Sequence, residues 1–316
     1  MILSSARLRD EIKEGLKKRF LDQNYRFYNN MTEAADDLKE AEILITYGED
    51  LTDELVAKAH SLKWIMVISA GLDKMPFRAL EERNILITNA RGIHKTPMAE
   101  YTISMMLQIS RKASQLLANQ KQHIWDRRVP MTEISGKTIG ILGTGAIGCE
   151  IARLAKAFNM RTIGFNRSGH DADHCDLVVD KKSIHTLYKE SDFIVNVLPS
   201  TPLTKGFIGA EAFTLIKRDA VLINIGRGTT INEKELILAL KQKRIGHAVL
   251  DVFEREPLPE ESPLWDLENV TVTPHISGIS PQYQERAIEI FCDNLNLYRK
   301  DKQDEMINII PYKRGY

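Results

Sequence analysis

TIGILGTGAIGCEIARLAKAF, Thr138 to Phe158, runs from a short apolar stretch through a turn of glycines into an amphipathic helical pattern, and a second apolar stretch, Arg161 to Phe165, follows. The apolar positions of each stretch are continuous rather than alternating, as in a strand buried on both faces of a parallel sheet. In the turn, Gly143 permits the tight bend, Gly145 lets the main chain approach a pyrophosphate, and Gly148 lets the helix pack on the strand. Ala146 and Ile147 open the helix, whose first N–H groups have no intrahelical acceptor and carry a partial positive charge. Strand, glycine turn, helix and strand together are the setting in which GxGxxG binds a dinucleotide. Where the second strand ends, an NAD-binding unit carries an acid for the adenosine ribose. Here the residues are Asn166, Arg167 and Ser168. An amide, a cation and a hydroxyl remove the repulsion of a 2′-phosphate and add attraction to it, so NADP(H) is expected over NAD(H).

Outward from this turn the alternation continues. Strands are expected at Asp176 to Val179, Asp192 to Leu198, Ala220 to Ile225, His247 to Val252 and Val270 to Pro274, which completes one doubly wound sheet. Upstream, Ala41 to Tyr47, Leu62 to Ser69 and Asn84 to Ala90 read as strands of a first α/β domain. Between the two lie a long helix, Pro97 to Asn119, and an aperiodic arm containing Trp125, which suits either an interface anchor or the core. A last amphipathic helix follows Pro281, with Ala287, Ile288, Phe291, Leu295 and Tyr298 at helical spacing. A chain of 316 residues exceeds what one core usually serves, so two domains are the expectation.

Lys plus Arg (43) balance Asp plus Glu (43), which gives no bulk electrostatic reason to expect nucleic acid or an anionic membrane as partner. No secretory signal or membrane-spanning run is read in the sequence. Cys149, Cys175 and Cys292 are odd in number and widely spaced, which suits a reducing compartment, the cytoplasm. His170, His174 and Cys175, with neighbouring acids, have metal-ligating chemistry but lie in a loop without metal-site spacing, so no metal is expected. Met98, Met105 and Met106 are read as core.

Three further residues follow strands of the second domain directly: Arg227, Glu256 and His275. Ligands of open parallel sheets bind outside the carboxyl ends of the strands, where such residues can converge. Taken singly, each also reads as an ordinary surface or turn residue.

With their surroundings they resemble the D-isomer-specific 2-hydroxyacid dehydrogenase family. The resemblance is carried by ISAGLDKM (Ile68 to Met75), NARGIHKTPMAEY (Asn89 to Tyr101), GTGAIG, NVLPSTPLT (Asn196 to Thr204), INIGRG (Ile223 to Gly228), LDVFEREPLP (Leu250 to Pro259) and TPHISG (Thr273 to Gly278). Within the family it is most similar to the glyoxylate and hydroxypyruvate reductases. The resemblance implies two doubly wound parallel-sheet α/β domains: a flavodoxin-like substrate domain, 1–98 with 281–316, and a Rossmann cofactor domain, 99–280. It implies that His275 is the acid, that Glu256 hydrogen-bonds its imidazole and favours the charged form, and that Arg227 binds substrate carboxylate and carbonyl oxygens. Ala70 and Gly71 would hold the substrate carboxylate through main-chain N–H groups. Asp251 and the main chain at Ile225 would line the nicotinamide, with Pro199 and Thr204 on the loop passing the cofactor; the alternative for Asp251 is a buried cap only. Tyr47 reads as a core-edge aromatic, with a place in the substrate pocket as the alternative. The resemblance also implies a small 2-keto or 2-hydroxy acid as ligand and a homodimer. The alternatives are a phosphoglycerate or broad 2-keto acid dehydrogenase of the same family, and a dinucleotide-sensing protein without turnover.

Overall fold

A computed structural model of the chain describes residues 1–69, 71–72 and 74–312. The chain divides into two compact units, Met1–His94 with Ser280–Tyr316, and Lys95–Ile279.

Among its described residues, the first unit holds a five-stranded parallel sheet in the order β2-β1-β3-β4-β5. Its strands are β1 (Ile2–Ser4), β2 (Tyr25–Phe27), β3 (Ile43–Thr46), β4 (Trp64–Val67) and β5 (Leu86–Asn89). Helices α1 (Asp10–Arg19), α2 (Met31–Ala34), α3 (Asp53–Lys58), α4 (Phe77–Glu82) and α11 (Tyr283–Tyr298) accompany it. Successive side chains of β3 and β4 serve opposite cores. Ile43, Ile45, Trp64 and Met66 pack with α11, whereas Leu44, Ile65 and Val67 pack on the other face. The indole of Trp64 stacks on Phe291 at 5.2 Å and donates to the Thr88 hydroxyl at 2.9 Å, which satisfies its one polar atom. Two strands were not expected from sequence: β1 and β2 have three residues each, and β2, at the sheet edge, is only half-buried, so neither shows a long apolar run.

The second unit, again among its described residues, holds a seven-stranded parallel sheet in the order β12-β11-β10-β9-β6-β7-β8. The strands are β6 (Thr138–Leu142), β7 (Arg161–Phe165), β8 (Leu177–Val179), β9 (Phe193–Asn196), β10 (Val221–Asn224), β11 (His247–Leu250) and β12 (Val270–Val272). Helices α5 (Lys95–Ser110), α6 (Ala113–Lys121), α7 (Ala146–Ala157), α8 (Ile184–Glu190), α9 (Ala210–Leu215) and α10 (Glu233–Lys241) belong to it. The strand order reverses between β6 and β9, and such a switch point opens a crevice at the carboxyl ends of the strands. Both sheets match the doubly wound fold class expected from sequence.

The single helix expected from Pro97 to Asn119 is two. Its first part, α5, buries Met98, Ala99, Thr102, Ile103 and Met106, whereas α6 buries no residue. Lys112 between them takes a left-handed φ of 55°. Neither glycine nor proline marks that break, so the local sequence gives no sign of it. In the following arm Trp125 is 91% exposed, which removes the core reading. Among the described residues no helix is long and apolar enough to cross a membrane.

Candidate active site

The glycine turn between β6 and α7 is built as its chemistry requires. Gly143 has φ of 108°, and its N–H donates to Phe165 O at 3.0 Å. A Cβ on Gly148 would stand 2.0 Å from Gly143 O, so helix and turn approach too closely for any side chain. A Cβ on Gly145 would meet no protein atom within 4 Å, so that face of the turn is open. No side chain caps α7, and its first main-chain bond runs from Cys149 N–H to Gly145 O, which leaves the N–H groups of Ala146 and Ile147 at the open end. These features fit a pyrophosphate.

Asn166, at the end of β7, donates to the Thr144 hydroxyl at 3.0 Å and to His170 O at 2.9 Å. Its amide oxygen accepts from the Ser168 hydroxyl at 3.2 Å. The amide therefore joins the glycine turn to the next loop, where Arg167 and Ser168 are exposed. After β9, the Thr204 hydroxyl closes its loop by donating to Pro199 O at 2.6 Å and accepting from Thr201 N–H at 2.8 Å. Ile225 is buried, and its N–H donates to Asn196 O at 3.2 Å.

Arg227 sits between two glycines for a steric reason. A Cβ on Gly226 would lie 2.7 Å from Leu198 O, and one on Gly228 only 1.8 Å from Phe253 C. The loops after β9, β10 and β11 thus touch main chain to main chain. Asn224 Nδ2 donates to Arg227 O at 3.3 Å, and the Thr230 hydroxyl donates to the same oxygen. The Phe253 N–H donates to Glu256 Oε1 at 3.0 Å, and Glu256 Oε2 lies 2.8 Å from His275 Nδ1. Side-chain exposures of 52% for His275 and 36% for Glu256 leave the pair accessible. Arg227, Glu256 and His275 are in this way joined through the contacting loops.

Asp251 has no exposed surface, and its carboxylate accepts from Ile276 N–H at 2.8 Å, Ser277 N–H at 2.9 Å and the Thr273 hydroxyl at 2.6 Å. The side chain caps the turn that carries His275, which agrees with the reading of Asp251 as a buried cap, the alternative to a place beside the nicotinamide. Gly71 lies in the loop after β4, where its carbonyl accepts from the Ser69 hydroxyl at 3.0 Å; Ala70 lies outside the described residues. Tyr47 packs at the edge of the first unit's core and its hydroxyl accepts from Gln284 Nε2 at 3.2 Å. All three cysteines are free thiols, and burial pushes Cys175 and Cys292 up to about 11, away from nucleophilic duty at neutral pH.

Reading from sequence missed a buried amide pair. Asn196 Nδ2 donates to Asn224 Oδ1 at 2.8 Å and to the Thr230 hydroxyl at 2.6 Å, so the carboxyl ends of β9 and β10 are pinned together under Arg227. The available signal was a polar residue ending each of two apolar runs.

Residues 103–277 match the family described as D-isomer specific 2-hydroxyacid dehydrogenase, NAD binding domain. The chain is similar to a D-3-phosphoglycerate dehydrogenase of Methanocaldococcus jannaschii, 35% identical over 291 residues, covering 89% of this chain but only 55% of that relative's length. It is also similar to a glyoxylate/hydroxypyruvate reductase B of Yersinia pseudotuberculosis, 34% identical over 272 residues, covering 84% of this chain and 83% of that one. Among solved structures, an NADPH-dependent glyoxylate/hydroxypyruvate reductase from Sinorhizobium meliloti in complex with NADP and sulfate superposes with a TM-score of 0.83 at 25% identity, covering 100% of this chain and 99% of that one. The chain therefore belongs to the D-isomer-specific 2-hydroxyacid dehydrogenase family, and with it to the nicotinamide-dependent oxidoreductases of 2-hydroxy acids.

Proposed function

We propose that the chain reduces a small 2-keto acid of the glyoxylate or hydroxypyruvate kind to its D-2-hydroxy acid, with NADPH favoured over NADH. The observation that carries this reading is the His275–Glu256 pair, 2.8 Å apart and accessible, on the strand-end rim that also carries Arg227. A reduced nicotinamide, when bound, supplies the hydride. Glu256 takes the Nδ1 proton of His275 in a hydrogen bond, which leaves Nε2 to deliver a proton to the carbonyl oxygen. The planar fork of Arg227 engages two substrate oxygens at once, which orients the keto acid and draws electron density from its carbonyl. Glycines 143, 145 and 148, with Ala146 and Ile147, hold the pyrophosphate; Asn166, Arg167 and Ser168 meet the adenosine side, and Pro199, Thr204 and the Ile225 main chain flank the cofactor.

NADPH preference is supported by the lack of an acid after β7 and by the exposed Arg167 and Ser168 there. The NADP-bound reductase from Sinorhizobium meliloti is consistent with it. A second reading, phosphoglycerate-type chemistry, follows the name of the Methanocaldococcus jannaschii relative. The test is kcat/KM for glyoxylate, hydroxypyruvate, pyruvate, a phosphorylated hydroxypyruvate and bulkier 2-keto acids with each reduced cofactor. The small unphosphorylated acids with NADPH are expected to lead. A lead for the phosphorylated acid selects the second reading, and a lead for NADH rejects the cofactor preference.

A homodimer is part of the same proposal. Leu116, Leu117, Ile124, Trp125 and Met131 expose apolar surface on α6 and the arm after it, with Trp125 at 91%. Trp125→Ser is expected to shift the sedimentation coefficient toward that of a monomer. Free thiols in this chain suit the cytoplasm.

A further inference from the structure

His275 has φ of 56°, a left-handed conformation that a residue with a Cβ occupies at a cost, so the surroundings must hold it. Three consecutive N–H groups do so through one residue. His275 N–H donates to the main-chain oxygen of Asp251 at 2.9 Å, and those of Ile276 and Ser277 to its two carboxylate oxygens at 2.8 and 2.9 Å. The direction of the acid's side chain therefore sets the path of the turn carrying the imidazole.

That direction is itself held. The Thr273 hydroxyl donates to Asp251 Oδ1 at 2.6 Å, and the Tyr101 hydroxyl lies 2.6 Å from the same Thr273 oxygen. A carboxylate only accepts, so the single proton of Thr273 is committed to Asp251, and Tyr101 must be the donor to Thr273. The chain of bonds runs one way, from phenol to hydroxyl to carboxylate, and each link polarises the next. Burial pushes the Tyr101 phenol up to about 12, so it keeps its proton throughout any working pH. Tyr101 stands on α5, far in sequence from the turn it reaches.

We propose that Tyr101 is a positioning residue for His275, acting through Thr273 and Asp251. The inference rests on His275 being the acid, as proposed above. Removing the phenol oxygen leaves Thr273 without its donor and frees the hydroxyl to turn away from Asp251, which loosens the turn and misplaces the imidazole. A misplaced acid costs turnover rather than cofactor affinity, because the glycine turn is built from other loops.

The test measures kcat, its pH profile and NADPH affinity in the full chain for Tyr101→Phe, Thr273→Val and Thr273→Ser, with His275→Ala in the same assay. Tyr101→Phe and Thr273→Val are expected to lower kcat by roughly 5- to 100-fold and to move the pH profile, with NADPH affinity within about twofold of wild type. Thr273→Ser, which keeps the hydroxyl, is expected to retain most activity. A double variant combining Tyr101→Phe with Thr273→Val is expected to be no worse than Thr273→Val alone, since both break one chain of bonds. A Tyr101→Phe enzyme equal to wild type in kcat and pH profile overturns the inference, as does a double variant whose loss is the product of the single losses. A loss of unfolding midpoint with no change in pH profile also overturns it, because that is what a merely structural tyrosine gives. Should Tyr101→Phe fail to fold, the contrast between Thr273→Val and Thr273→Ser decides. Normal turnover of His275→Ala would instead sink the underlying assignment, so the two failures are distinct.

Discussion

At the carboxyl end of β5 in the first unit, Thr88 bridges to Ile309 and Asn89 is bonded to Asn308, so buried polar groups there secure the returning chain. At the carboxyl ends of β9, β10 and β11 in the second unit, Asn196, Asn224 and Asp251 are just as buried, but they brace loops whose outer residues are Arg227, Glu256 and His275. Both sheets are parallel and both are wrapped by helices, so topology alone gives each a crevice at its strand ends. The difference lies in what the buried polar groups hold. In the first unit they stabilise the scaffold; in the second they hold the loops that carry the proposed catalytic side chains on a rigid support. Chemistry and stability should then be separable by mutation.

The largest expected effect is on turnover from the second unit. His275→Ala is expected to lower kcat by about 10²- to 10⁴-fold while NADPH still binds, measured by steady-state kinetics and by titration of the dinucleotide. Near-normal turnover would remove the chemical half of the comparison. Glu256→Gln belongs with it: an amide replaces the carboxylate that accepts the Nδ1 proton of His275, so kcat is expected to fall while NADPH still binds, in the same assays.

A stability effect of comparable size is expected from the first unit with no chemistry attached. Trp64→Ala removes a fully buried ring and the indole N–H that the Thr88 hydroxyl accepts, at about 3–5 kcal/mol by denaturant unfolding. If the NADPH affinity of the surviving folded protein fell with it, the two roles would not be separable.

Two glycines of the same turn sharpen the contrast within the second unit. Gly148→Ala must push against Gly143 O, so both the unfolding midpoint and dinucleotide affinity should fall, the affinity by roughly 10- to 100-fold. Gly145→Ala meets no protein atom and should weaken the dinucleotide while leaving the midpoint unchanged. Equal midpoints for the two variants would contradict the packing account.

The smallest expected effect is a pH dependence of stability in the second unit. Burial, with Lys112 adding to it, depresses His247 to about 4, and its Nε2 lies 2.9 Å from the Thr271 hydroxyl. The folded value lies below the unfolded value of about 6.5, so the neutral ring's contribution is complete above that pH. It shrinks as pH falls from 6.5 toward 4, where the unfolded chain binds a proton that the folded chain refuses. His247→Asn should flatten the midpoint against pH over that window, and an unchanged slope would assign the acid sensitivity elsewhere.

The core strands of both sheets were legible because two-sided burial demands continuous apolar runs, as in Ile43–Thr46 and Thr138–Leu142. Edge position erased that mark from Tyr25–Phe27, and three residues were too few to show it in Ile2–Ser4. The turn at Lys112 was hidden because φ of 55° there falls on a residue that carries no local turn signal. In the site, Arg227, Glu256 and His275 stood out as charged or ionisable residues after apolar runs. Asn196, Thr230 and Tyr101 did not, since a polar residue bonded to another far along the chain looks locally like any other.

The sequence by itself determined the long core strands, the glycine turn between Leu142 and Ala146 and which ionisable groups follow the strands, because each depends on residues adjacent in the chain. Only the tertiary structure decided which polar groups meet. It turned Asp251 inward to hold the His275 turn, and it set Gly226 and Gly228 against the main chain of neighbouring loops. The reason is that local periodicity reports which face of an element is buried, whereas hydrogen-bond partners across loops arise only when separate strand ends are brought side by side.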